Sequence, residues 1–192
     1  MKYEEIYTFL MELDKLKVIY RRSYLSDESR NENSAEHSWH LAMSILLFQD
    51  EMKEEIDLLK TLKMALVHDV CEIGAGDISI FDKDRDKKTV DEREYITSLD
   101  KKYSLKFTNE IVDLWEEYEK QESSESKWVR VFDRLLPFCL NLVTNGKLWK
   151  EQNIRKHQVL EINKAIKNQS PEMYKWMLEK IDFAVEKGWL EE

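Results

Sequence analysis

The stretch TLKMALVHDVCEIGAGD (61–77) decides how this chain of 192 residues is read. Within it Leu62, Ala65, Asp69 and Glu72 recur at helical spacing and share one stripe. An inward face thus passes from aliphatic to acidic, with His68 one position beside it. Two carboxylates and an imidazole on a core face are costly to bury unless something compensates them. A divalent ion does so directly, because imidazole nitrogen and carboxylate oxygen suit Zn, Mn, Co or Fe. Adjacent residues stand about 100° apart around a helix. His68 and Asp69 can therefore share one ion only near the helix end, and Gly74 and Gly76 follow almost at once.

Those two glycines are half of the four in the chain, which has only two prolines. At average usage roughly 23 Gly and Pro together would be expected. Hairpins and sandwich corners lean on both residues, so a meander, sandwich or barrel is not expected. The expected fold is all-α, a compact single-domain helical bundle over residues 1–192. Apolar residues at helical spacing (Ile6, Phe9, Leu10, Leu13, Leu16, Ile19) predict a first helix over about 3–20. A capping box of Asn33 and Glu36 starts a second, running to about Met52. Asp57 caps a third, 58–72. Further helices are expected at about 89–103, 109–121 and 125–144, a segment near 150–168, and 171–187. In the last, Ser170 caps and Pro171 takes the first turn. Between the first two, RRSYLSDESRNEN (21–33) has no periodicity, and DKDRDKK (82–88) reads as a solvated surface loop.

Thirty basic residues against 39 acidic give a net charge of −9. Phosphate-backbone binding needs a basic surface, so no nucleic-acid partner is expected, although a few local arginines suffice for a small anion. No apolar run approaches the roughly 20 residues of a membrane span. The opening MKYEEIYTFL lacks the basic-then-apolar order of a signal peptide. Cys71 and Cys139 lie in apolar helical contexts and read as buried reduced thiols of a cytoplasmic protein.

Two more polar residues sit on apolar faces, where a satisfied core histidine and a helix bent for packing are the alternatives to a shared site. His37, in ENSAEHS (32–38), shares a helix face with Leu41, Ser44, Ile45 and Phe48. Asp133, in VRVFDRL (129–135), sits among Val129, Phe132, Leu136 and Pro137. Pro137 has no N–H to give the Asp133 carbonyl, so a bend is expected at that residue.

Together with LKVIYR (16–21), ALVHDVCEIGAGD (65–77) and DLWEEYE (113–119), these motifs resemble the HD-domain metal-dependent phosphohydrolases. The likeness is greater to the small HD-domain 5′-deoxynucleotidases. It covers about residues 13–145, with helices of unassigned role over about 146–192. The resemblance implies one divalent ion (Mn, Co, Zn, Fe or Mg, a transition metal favoured) held by His37, His68, Asp69 and Asp133. It makes Glu72 and Asp77 the catalytic carboxylates and Arg21 the residue that binds the substrate phosphate. The implied activity is removal of phosphate from (deoxy)nucleoside 5′-monophosphates, by a cytoplasmic homodimer. Arg22 and Arg30 could extend the positive patch around that phosphate. This chain departs from the family pattern at Arg22, where relatives often place an aromatic residue, and at GDISIF (76–81), where they tend to have proline.

HD proteins also include nucleoside triphosphohydrolases and cyclic-nucleotide or alarmone phosphodiesterases. Dinuclear members need more histidines, and only His40 and His157 remain here. A different class of reading is a non-catalytic module that binds a nucleotide or a partner. Its partner surface would be DLWEEYEKQESSESKW (113–128), where Leu114, Trp115 and Tyr118 are more simply core or dimer contacts. The presence of both Glu72 and Asp77 counts against a module.

Overall fold

The Asn33–Glu36 capping box forms as the sequence dictates. Asn33 Oδ1 accepts from the Glu36 amide at 2.9 Å, and Glu36 Oε2 accepts from the Asn33 amide at 3.1 Å. It starts helix α2 (Ser34–Phe48), and a 3₁₀ turn Gln49–Glu51 replaces the last turn expected up to Met52. In this computed structural model residues 2–76 and 85–192 are described, without the side chains of 85–89. Asp77 and the start of the charged run 82–88 lie outside them. That run is not all loop, because helix already begins at Arg85.

The other helices follow the apolar stripes. They are α1 (Lys2–Asp14), α3 (Leu58–Val67), a single turn α4 (Glu72–Ala75), α5 (Arg85–Lys102), α6 (Lys106–Lys120) and α7 (Ser124–Val143). Helix α7 runs on through Pro137. The expected segment near 150–168 divides into α8 (Lys147–Glu151), α9 (Lys156–Ile162) and α10 (Lys164–Gln169). Asn153 at φ 52 and the buried Asn163 mark the breaks. Helix α11 (Pro171–Glu186) closes the chain behind its Ser170 cap. Helix α7 packs against α2, α3, α6 and α10. Val129, Val131, Phe132, Leu41, Ile45, Met64, Ile111 and Trp115 fill the core around it, and one cluster of buried side chains extends from Phe9 to Leu190. Among the described residues no helix is long and apolar enough to cross a membrane.

The first expected helix, 3–20, is corrected. It ends at Asp14, a 3₁₀ turn Lys15–Val18 follows, and the chain extends into β1 (Tyr20–Tyr24), paired antiparallel with β2 (Asn31–Asn33). The Ile19 carbonyl accepts from the Ser34 amide at 2.9 Å, a bond that helix continuation would have forbidden. This hairpin turns without glycine. Glu28 adopts φ 59, and Asp27 accepts from the Ser29 amide and hydroxyl at 3.0 and 2.7 Å. An Asx-type turn thus does what glycine does elsewhere.

Helix α1 is tied to α5 through Glu12. Its buried carboxylate accepts from Lys15 and Lys102 at 2.8 Å, Tyr95 at 2.9 Å and Tyr103 at 3.2 Å. Burial pushes its pKa up, but Lys102, Lys15 and Tyr95 outweigh that and bring it from 4.5 to about 2. The folded-state value lies below the unfolded one, so the stabilisation is full above pH 4.5 and fades toward pH 2. Glu12→Gln should lose on the order of 2 kcal/mol at pH 7. Urea unfolding at pH 7 and pH 3 checks this, because the gap between variant and parent must narrow at pH 3.

Candidate metal centre

Helix α3 stops at Val67, five residues before the expected end, and this break builds the site. Beyond it the amides of Val70 and Glu72 reach back three residues, to the Val67 and Asp69 carbonyls, each at 3.0 Å. The α-helix has ended before His68 and Asp69, and their side chains converge. His68 Nε2 lies 3.2 Å from Asp69 Oδ1 and 3.9 Å from Asp133 Oδ1. From α2, His37 Nε2 comes within 3.2 Å of the same Asp133 oxygen. One ligand atom each from His37, His68 and Asp69 falls within 4.8 Å of the others.

His68 Nδ1 stands 2.8 Å from the Ala65 carbonyl, which can only accept, so the proton sits on Nδ1. Nε2 then presents a lone pair. It is fully buried and makes no hydrogen bond. An imidazole nitrogen fixed from behind and aimed between two carboxylates is the arrangement that suits a metal ligand. The converging donors, two imidazole nitrogens and the Asp69 carboxylate, suit a divalent ion, and Asp133 lies beside both imidazoles.

The electrostatics agree with a site built for positive charge. Burial and Arg21 lower the His37 pKa, but Asp133 and Glu32 outweigh them and hold it at about 9. Burial dominates at His68 and pushes it down, toward the neutral ring. For Asp133, burial raises the pKa, yet Arg134, His37 and His68 hold it well below the carboxylate range. Asp69 is lowered in the same way, with burial overcome by His68 and Arg21.

Arg21 enters from β1. The strand pairs Tyr20 with Asn33 and Tyr24 with Asn31, so it bulges between them, and a bulge re-aims side chains. Arg21 Nη1 donates to Asp69 Oδ2 at 2.7 Å, Nη2 lies 3.8 Å from Asp133 Oδ1, and Nε lies 3.6 Å from Glu32 Oε1. Glu72 is buried, and its Oε2 accepts from Ser34 Oγ at 2.7 Å. The other two arginines are placed elsewhere. Arg22 has an exposed side chain, and its carbonyl accepts from Asn31 within the hairpin. Arg30 donates to Glu36 and to the Asn31 carbonyl, each at 2.9 Å, in an exposed fork at the head of α2. His40 is half-buried against Trp39, and His157 is exposed.

Sequence reasoning gave Glu32 and Ser34 no role and read Tyr118 as a core or dimer contact. All three are buried, and Tyr118 donates to Asp133 Oδ2 at 2.9 Å. Glu32 and Ser34 lie inside ENSAEHS, but nothing in periodicity distinguishes a polar core residue from a cap.

A family model described as HD domain matches residues 13–174. The chain belongs to the HD domain family. Over its full length this HD domain is 33% identical to a structure from Magnetospirillum magnetotacticum MS-1, described as a predicted metal-dependent phosphohydrolase, with 96% of that chain covered and a TM-score of 0.92. It is 30% identical over 128 residues, 66% of the chain, to the 5′-deoxynucleotidase HDDC2 of Bos taurus, and 33% identical over 127 residues, 62% of the chain, to that of Dictyostelium discoideum. The match spans 61% of the length of the bovine relative and 67% of that from Dictyostelium.

Proposed function

We propose that this HD domain is a metal-dependent phosphohydrolase that removes phosphate from nucleoside 5′-monophosphates, deoxynucleotides included. The observation that carries it is the buried His68 Nε2, oriented by the Ala65 carbonyl onto Asp69 and Asp133 beside the Arg21 guanidinium. The relatives named 5′-deoxynucleotidase support the substrate class. His37, His68, Asp69 and Asp133 would hold one divalent ion, a transition metal. Among the described residues neither His40 nor His157 joins a cluster of potential ligands, which supports one ion. Held by the proposed ligands, such an ion would supply Lewis-acid chemistry.

The chain's own groups do the rest. Arg21, anchored on Asp69, offers guanidinium N–H donors to a phosphate oxygen. Glu72, held by Ser34, takes the proton from the attacking water as its oxygen bonds to phosphorus. The ester P–O bond breaks and the departing 5′-oxygen receives a proton, for which Asp77 is the assigned donor. The test is phosphate release from mono-, tri- and cyclic nucleotides, using metal-stripped protein reconstituted separately with Mn, Co, Zn and Mg. Turnover confined to 5′-monophosphates is expected. No turnover with any metal favours the non-catalytic module.

The enzyme acts in the cytoplasm as a homodimer. Trp39, Met43, Leu46 and Leu47 form an exposed stripe on α2, with Trp39 63% and Leu47 76% exposed. Helix α3, packed beside it, exposes Leu59 and Leu66. Residues 37–48 include no Asp, Glu, Lys or Arg in a chain that is 36% charged. Two copies of charge −9 repel except across such a face. Trp39 and Leu47 each lie four residues from Met43, so a two-fold axis at Met43 sets Trp39 against Leu47 of the second copy. Contiguous apolar surface of this kind marks an interface rather than scattered exposure. Leu47→Glu should give a monomer by sedimentation velocity, since it buries an unpaired carboxylate. A dimer that survives it overturns this face.

A further inference from the structure

Helix α6 supplies no ligand to the cluster, yet it reaches two of them through one side chain. Its stripe of Ile111, Leu114, Trp115 and Tyr118 is buried. The first three pack into the core, whereas Tyr118 carries a polar tip to Asp133. The hydroxyl donates to Asp133 Oδ2 at 2.9 Å, and the ring stands edge-on to the His68 imidazole, with centroids 5.3 Å apart and planes at 68°. Over the same ring lies the Arg130 guanidinium, 4.3 Å from the centroid, itself 3.6 Å from Glu119 Oε1.

A carboxylate turns easily about its last torsion, because that torsion is broad and two-fold. Either oxygen of Asp133 could then face the imidazoles. In this structure Oδ1 does so, at 3.2 Å from His37 Nε2, while Oδ2 is taken by Tyr118, with Arg134 Nη2 3.9 Å away. We infer that Tyr118 is a positioning residue: it holds Asp133 so that Oδ1 alone meets the ion, and it sets the plane of the His68 ring. Tyr118 is not one of the proposed ligands and acts through these two residues. The inference rests on the reading of His68 and Asp133 as ligands.

The test is the affinity of metal-stripped protein for Co(II), followed by its visible absorption, for Tyr118→Phe and Asp133→Asn in parallel. Phenylalanine keeps the ring, its contact with His68 and its place under Arg130, and removes only the hydroxyl. Loss of such an outer partner typically weakens metal binding by about 10- to 100-fold. Tyr118→Phe should show that loss with an altered cobalt spectrum, while circular dichroism and metal-free thermal unfolding stay close to the parent. An unchanged dissociation constant and spectrum in Tyr118→Phe, with affinity lost in Asp133→Asn, overturns the positioning role alone. Parent-like affinity in Asp133→Asn overturns the ligand assignment beneath it. Should Tyr118→Phe fail to fold, Arg130→Gln frees the ring while keeping the hydroxyl. A smaller loss in the same direction then supports the role, and no change overturns it.

Discussion

Asp69→Ala is expected to remove the proposed ion and phosphate release together. Asp69 is shared between two tasks: Oδ1 lies 3.2 Å from His68 Nε2, and Oδ2 accepts from Arg21 at 2.7 Å. Alanine deletes a charged proposed ligand and the carboxylate oxygen to which the guanidinium donates. Lewis-acid stabilisation is worth several kcal/mol, and each 1.36 kcal/mol is a factor of ten in rate. A fall of at least about 10³-fold in kcat/KM is therefore expected, with metal affinity falling by more than the roughly 100-fold of an outer-shell change. Metal content after dialysis, measured beside phosphate release, checks both. Retention of a full equivalent of metal in this variant removes Asp69 from the ligand set. Arg21→Gln separates its second task, because it should raise KM for the nucleotide while the ion stays bound.

Glu72→Gln should do the opposite, keeping the ion and losing turnover. The amide is nearly isosteric and can still accept from Ser34, so the surroundings of the buried side chain persist. It cannot take a proton, and general-base catalysis contributes typically 10²–10⁴-fold. Equilibrium metal titration should give a dissociation constant within a few-fold of the parent while kcat falls by that range. Co-loss of metal would make Glu72 a ligand, and unchanged kcat would remove it from proton transfer.

The helical plan and the four proposed ligands were legible because each breaks a pattern. His68 and Asp69 interrupt an aliphatic stripe, and His37 and Asp133 are polar positions on apolar faces. The hairpin was not legible. Sequence reasoning looks for glycine at turns, and here Asp27, Glu28 and Ser29 make the turn with side-chain hydrogen bonds. Arg21 was picked out, but not its bond to Asp69, 48 residues away, which only the bulged strand creates. Arg22 and Arg30 looked equivalent to it in a polar run, yet strand alternation turns Arg22 outward and Glu36 claims Arg30. The break at His68 was foreseen as a helix end but placed too late, because Gly74 and Gly76 are the visible stops. Gly74 has a different reason to be glycine: a Cβ there would meet the Tyr95 ring at 2.3 Å. Tyr118 read as one more apolar residue of an amphipathic helix, since periodicity is blind to a hydroxyl.

The hairpin that carries Arg21 is also fastened at its far end. Lys147 of α8 lies over the Tyr24 ring at 4.0 Å and pairs with Glu28 at 3.2 Å, while the Tyr24 hydroxyl donates to Glu151 at 3.1 Å. A free arginine side chain carries about 2 kcal/mol of rotamer entropy, which an anion must overcome when it immobilises a loose guanidinium. Here that ordering happens during folding, before any nucleotide arrives. Helix α8, which carries none of the four proposed ligands, thereby holds ready in advance the cation proposed to meet the substrate.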